Sequence, residues 1–199
     1  MNLTVFGSAG GTGRQLVARA LGRGHSVTAF VRSATDDEAL AGVARVVTGD
    51  ARNADAVASA LRDAEAVVSA MGPKGPEPGS VYSDAIGTLA RSMQAGGVRR
   101  LVISANSRVL DERPLEGPYA AVSQEHRDAL ATLRACELDW TVVATPALSD
   151  EEARGVYDVV VGGRSSGHGI ARADFATALL DALDHPEWVG QVVGVSTPD

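Results

Sequence analysis

Hydrophobic and polar positions along the chain follow two alternating periods. Short apolar runs at residues 3–6, 26–31, 44–48, 66–70, 100–104, 140–144 and 192–195 read as buried parallel strands. Between them, apolar residues recur at helical spacing. Leu16, Val17, Ala20 and Leu21 form one such face, and Ile86, Leu89, Ala90 and Met93 form another that stops at Gly96-Gly97. Val122, His126, Leu130 and Leu133 share a third, and Phe175, Leu179, Ala182 and Leu183 a fourth that ends before His185-Pro186. This alternation predicts an α/β fold: one doubly wound parallel sheet with helices on both faces. Residues 72–80 and 149–169 break the rhythm. Both follow predicted strand ends, the edge where open α/β sheets bind ligands, and both read as substrate-side loops.

The first strand runs into Gly7-Ser8-Ala9-Gly10-Gly11-Thr12-Gly13-Arg14, and a helical pattern follows at once. Strand, glycine turn and helix in that order predict a dinucleotide-binding turn and make the sheet Rossmann-like. A tight glycine turn brings backbone N–H groups at a helix N-terminus up to a diphosphate, where unpaired donors and partial positive charge meet the anion. The spacing fits Gly7/Gly10/Gly13 or Gly7/Gly11/Gly13. It does not fit G-x-G-x-x-G, because position 8 is Ser.

Composition narrows the function classes. The chain has 199 residues, 45% hydrophobic and 22% charged, which suits one packed NAD(P)-binding domain over residues 1–199 and not a disordered chain. A net charge of −7 argues against a nucleic-acid partner, which needs a basic face. Cys136 is the single cysteine, so there is no internal disulfide framework, and the four histidines show no metal spacing. No stretch suggests a membrane span or a signal peptide, and a cytoplasmic monomer or homodimer is expected.

Cofactor choice turns on the end of the second strand. An NAD-preferring site places Asp or Glu there for the ribose 2′-hydroxyl, whereas this strand ends Phe30-Val31-Arg32-Ser33. Arg32 would meet a 2′-phosphate with a charge-assisted fork, and Arg14 lies close enough in sequence to approach the same group. NADPH is the expected cofactor. Asp36, Asp37 and Glu38 are possible partners for either arginine.

The runs 7–32, 49–61, 87–107, 138–146 and 170–180 together resemble the atypical short-chain dehydrogenases/reductases, among them NmrA-like proteins and flavin/biliverdin-IXβ reductases. The resemblance spans residues 2–196. It implies cofactor contacts from Gly7, Ser8, Gly10, Gly11, Thr12, Gly13, Arg14 and Arg32. It also implies that Asp50, beside Ala51, accepts a hydrogen bond from the adenine amino group. Read from the residues alone, Asp50 could equally cap the next helix. Ala70-Met71-Gly72 would let a ribose approach, and Ser104 and Pro146 would border the nicotinamide.

Standard short-chain dehydrogenases use Tyr-x-x-x-Lys, and this chain has one lysine, Lys74, with no tyrosine four residues before it. The weaker proton carriers left near the nicotinamide are Ser104, Asn106, Tyr119 and His126, with Ser107 and Ser123 close by. Asn106 stands where relatives carry a substrate-polarising Ser. His126 falls where flavin/biliverdin-IXβ reductases also carry a His, and an intrinsic pKa of about 6.5 would suit proton delivery; its place on an apolar face equally suits a core histidine. The expected function is NADPH-dependent hydride transfer to a small planar acceptor such as a flavin, quinone or conjugated carbonyl. The alternative is an NADP(H)-binding redox sensor without turnover.

Overall fold

The computed structural model describes residues 1–33, 38–73, 79–111 and 114–198. Ten strands and five α-helices are present among them: β1 (Asn2–Phe6), α1 (Gly11–Gly22), β2 (Ser26–Val31), β3 (Arg45–Thr48), α2 (Ala54–Ala60), β4 (Ala66–Ser69), α3 (Val81–Gly96), β5 (Arg100–Asn106), α4 (Ala120–Arg134), β6 (Asp139–Thr145), β7 (Leu148–Ser149), β8 (Asp158–Val161), β9 (Ile170–Ala171), α5 (Arg172–Asp181) and β10 (Gln191–Ser196). Eight strands make one sheet in the order β3-β2-β1-β4-β5-β6-β10-β8, parallel except for β8, and β7 pairs with β9 apart from it. This is the Rossmann-like doubly wound arrangement that the alternating pattern predicts. Its strand order reverses between β1 and β4, which opens a crevice directly beyond the end of β1.

Successive residues of the central strands serve opposite layers. Val67 joins a core with Leu89, Met93, Leu101 and Leu133, contributed by β5 and by helices α3 and α4, while Val68 joins Leu16, Val17, Phe175 and Leu179 beneath α1 and α5. A strand buried on both faces has no polar side to show, which is why these runs read as continuously apolar. Gly97, at φ 73°, closes α3 in the left-handed conformation where the Gly96-Gly97 stop was expected.

Two features depart from the pattern. The 149–169 segment, expected to be a loop, carries the edge strand β8. Three successive valines, Val159, Val160 and Val161, are all exposed there, so the run has neither the alternation of a half-buried strand nor the burial of a core strand. Beyond β8 the chain folds back tightly over β10: a Cβ at Gly194 would lie 2.6 Å from Ser165 N.

Glu125 is the other feature. Although a carboxylate, it is buried in α4, where Oε2 accepts the Tyr82 N–H at 2.7 Å and the Ser83 N–H at 3.4 Å, capping α3 from a neighbouring helix. Glu125→Ala is expected to lower unfolding free energy by roughly 2 kcal/mol, because it strands buried helix N–H donors. A urea midpoint unchanged from wild type would remove this role.

Candidate dinucleotide site

The glycine turn sits at the crevice between β1 and β4, and Gly7 and Gly13 each have a separate steric reason. Gly7 has φ 76°, and a Cβ there would lie 2.9 Å from both Ala70 C and Met71 N, so the turn packs backbone to backbone against the end of β4. A Cβ on Gly13 would fall onto the Gly7 carbonyl, 2.7 Å from its carbon and 2.9 Å from Ser8 Cα. Gly10 N–H donates to Gly7 O at 3.0 Å and closes the turn. The outer faces of Gly10 and Gly11 are exposed. α1 then begins at Gly11 with no acidic residue in its first turn, leaving the first N–H groups without intrahelical partners. This is a cradle that a diphosphate fits. The Ser8 hydroxyl turns inward to Val5 O at 2.7 Å, so only the Ser8 backbone faces the turn's anion side. Thr12 is buried in the first turn, and Arg14 is exposed beyond it.

At the ends of β2 and β3, Arg32 is exposed and Asp50 is held by Arg52 in a fork, with Nε at 3.0 Å and Nη2 at 2.6 Å from its two oxygens. The Arg52 hydrogen bonds lower the Asp50 pKa to about 2, with the charge of Arg32 the smallest contribution. Asp50 does not cap the following helix. Asn53 does, its Oδ1 accepting the N–H groups of Asp55 and Ala56 at 2.9 and 3.1 Å. Ala51 is half-buried beside Asp50. Asp36 and Asp37, named as partners for Arg32, lie outside the described residues, as does Lys74 with residues 75–78 of the loop expected at 72–80.

The strand ends β4, β5 and β6 form the other half of the crevice. Ala70 and Met71 are half-buried, while Gly72 and Pro146 are exposed at the ends of β4 and β6. Ser104 Oγ donates to Met71 O at 2.8 Å and ties β5 to the end of β4. Asn106 Nδ2 donates to Ser123 Oγ at 3.2 Å, leaving Asn106 Oδ1 buried without a partner among the described residues. Tyr82 donates its phenol to Ser104 O at 2.9 Å and meets the His126 ring edge-on, with centroids 4.8 Å apart. Asn106, Ser123, Ser104, Tyr82 and His126 are therefore linked through contacts among α3, β5 and α4. Tyr119 stands apart at the start of α4, 65% exposed.

The titrations in this cluster differ from the intrinsic values. Burial pulls the His126 pKa down to about 4, and its Nδ1 has no hydrogen-bond partner among the described residues. The expected proton donor titrating near 6.5 is thus a neutral imidazole at pH 7, because desolvation opposes its charged form. Burial, with the charge of Glu125, pushes the Tyr82 phenol well above its ordinary value. Beyond β6 an open cleft of about 440 Å³ is lined by Ala147, Ser149, Arg154, His168 and Thr197.

The sequence model for NAD(P)H-binding domains matches residues 7–186 of this chain, from the glycine turn to past α5. The chain belongs to the NAD(P)H-binding family. Among relatives of known sequence, the uncharacterized protein YwnB of Bacillus subtilis is 27% identical over 203 residues, covering 94% of each chain. Among solved structures, ChuY, an anaerobilin reductase from Escherichia coli O157:H7, is 26% identical with a TM-score of 0.83, covering 100% of this chain and 98% of its own. A candidate exported protein from Burkholderia pseudomallei is 27% identical with a TM-score of 0.84, covering 98% of this chain and 99% of its own. No described helix is long and apolar enough to cross a membrane. No three His, Cys, Asp or Glu side chains gather as a metal site among the described residues.

Several residues of this family member's site carry no local sequence signal. Tyr82 reads as one more apolar position of α3, and Glu125 as a solvated helix charge; only the packing of α4 on α3 brings them together. Arg52 is the exception. Its place two residues after Asp50, at a strand end, could have marked it as a carboxylate partner.

Proposed function

We propose that the protein is an NADPH-dependent reductase that passes hydride to a small planar acceptor, a flavin, quinone or conjugated carbonyl. The observation that carries this reading is the glycine cradle at the strand-order reversal, with Arg32 rather than a carboxylate at the end of β2. When bound, the reduced nicotinamide supplies the hydride. Gly7, Gly10, Gly11 and Gly13 hold the diphosphate, with backbone from Ser8 and Thr12. Arg32 and Arg14 meet the 2′-phosphate, and Asp50 and Ala51 border the adenine. Ala70, Met71, Gly72, Ser104 and Pro146 flank the riboses and nicotinamide.

The protein's part in the reaction is orientation and exclusion of water. Asn106 carries the one amide at the end of β5, and its unpartnered Oδ1 is available to orient the nicotinamide carboxamide or the acceptor. Tyr119, exposed at the start of α4, is the aromatic proposed to cover the acceptor. A reduced flavin or quinone takes its proton from water, so neither a Tyr-Lys pair nor a charged His126 is required. The reductive chemistry named for ChuY supports this class of reaction. The single cysteine suits the cytoplasm.

The test is consumption of NADPH with a panel of flavins, quinones and conjugated ketones. Turnover with one of them, reduced on the order of tenfold in Asn106→Ala with NADPH affinity kept, is the expected result. NADPH binding without turnover on any acceptor would establish the second reading, a redox sensor. That reading has one observation in its favour: neither His126 nor Tyr82 titrates near neutrality.

Cofactor preference has its own test. Arg32→Ala should weaken NADPH by roughly tenfold or more while leaving NADH unchanged, since a charge-assisted contact to the 2′-phosphate exists in one cofactor only. Equal affinities in wild type would reassign Arg32 to the solvent-facing surface.

A further inference from the structure

The space where Gly11 lacks a side chain is filled by an arginine from the far end of the chain. A Cβ on Gly11 would lie 3.2 Å from Cδ and 3.3 Å from Nε of Arg172, the first residue of α5. Helices α1 and α5 lie side by side and run in the same direction. Gly11 meets Arg172, Arg19 Nε donates to Thr177 Oγ1 at 3.0 Å, and Arg23 pairs with Asp181. Their N-termini therefore open together on the edge where the glycine turn stands, and Arg172 is the cation between them.

Its present partner is a loose one. Arg172 Nε donates to Asp150 Oδ1 at 2.7 Å, and Asp150 is its one hydrogen-bond partner among the described residues. The Asp150 side chain is 84% exposed and that of Arg172 33%, so the pair gains little from its Coulomb attraction. Asp150 follows β7, and the far end of its segment has a separate tie. The buried Asp174 already ties residues 154 and 155 to α5, accepting the Arg154 N–H at 2.8 Å and the Gly155 N–H at 3.0 Å. A guanidinium has five N–H donors in a rigid fork, and one is used here.

We propose that Arg172 is a diphosphate clamp: its guanidinium rests on Asp150 in the free protein and exchanges that carboxylate for the cofactor's diphosphate when the dinucleotide seats on the turn. The inference rests on the dinucleotide reading of the glycine cradle and adds a cofactor-binding residue to it. A diphosphate offers more charge and more acceptor oxygens than one exposed carboxylate, and the Arg172 side chain already lies where a Cβ of the glycine that opens α1 would point. The α1 N-terminus supplies partial charge, and Arg172 supplies a whole one.

Calorimetric titration of NADPH, NADH and 2′-AMP into wild type, Arg172→Gln, Asp150→Asn and Arg32→Ala tests this. Arg172→Gln should weaken NADPH and NADH by the same factor, about tenfold or more, and leave 2′-AMP unchanged, since that ligand has no diphosphate. Asp150→Asn should bind both dinucleotides as tightly as wild type or a few fold tighter, because it frees the guanidinium. Unchanged dinucleotide affinity in Arg172→Gln would overturn the clamp. So would equal weakening in Asp150→Asn, which would make the pair an anchor for residues 150–155. Wild type that binds neither dinucleotide would instead overturn the dinucleotide reading itself, a result distinct from both.

Discussion

Gly13→Ala is expected to abolish NADPH binding and to lower unfolding free energy by roughly 3 kcal/mol or more. The added methyl has nowhere to go, since the obstacle is backbone: the Gly7 carbonyl and Ser8 Cα close the space on the β1 side. A flexible side chain could rotate aside, but here relief requires α1 to move off the end of β1. That motion would pull Leu16, Val17 and Ala20 from the core they share with Phe175 and Leu179. It would also open the turn that Gly10 N–H closes on Gly7 O, so the N–H groups of the cradle lose their common direction. Urea unfolding and an NADPH titration of the same preparation check both halves. Gly24→Ala is the comparison: Gly24 has a positive φ of 77° but nothing within 4 Å of an added Cβ, so it should cost only the backbone strain, about 1 kcal/mol, and leave binding intact.

The second large effect is a dependence of stability on pH that belongs to His126. Its folded pKa is about 4 and its ordinary value 6.5, with burial as the cause. Above pH 6.5 the ring is neutral in both states and opposes nothing. As pH falls through 6.5 toward 4, the unfolded chain takes up a proton that the folded chain refuses, and stability is lost. The full loss, reached below pH 4, is ~3 kcal/mol. Nδ1 is also buried without a hydrogen bond among the described residues, so the ring adds little to stability when neutral. His126→Phe should therefore unfold at pH 7 within about 1 kcal/mol of wild type while losing ~3 kcal/mol less than wild type between pH 7 and pH 4. The carboxylates common to both proteins cancel in that difference. Parallel pH profiles would mean that the imidazole is solvated, and would return it to the list of proton donors.

The fold was legible because its signals are local or periodic. Seven parallel strands are found within about two residues of the apolar runs that announce them, since pairs such as Val67 and Val68 must both be buried when helices cover both faces. β8 was not legible. It is held by antiparallel pairing with β10, from Val193–Val161 to Ser196–Asp158, and an exposed edge imposes no pattern on its side chains. The site divides in the same way. Gly7, Gly10, Gly11 and Gly13 announce themselves because a turn fixes their spacing. The Gly11–Arg172 contact, the Glu125 cap on α3 and the ring pair of Tyr82 and His126 exist only once helices dock, so no window of sequence contains them. Burial also reverses what a residue type suggests. A histidine titrating near 6.5 reads as a proton carrier, but the same residue packed on Tyr82 is a neutral ring at pH 7.

The glycine cradle and Arg32 are proposed to form an NADP(H) site together, and calorimetric titration of NADPH and of NADH into the wild-type protein tests this most directly. One NADPH should bind per chain, at least about tenfold tighter than NADH. Absence of binding by either dinucleotide, or tighter binding of NADH, would contradict it.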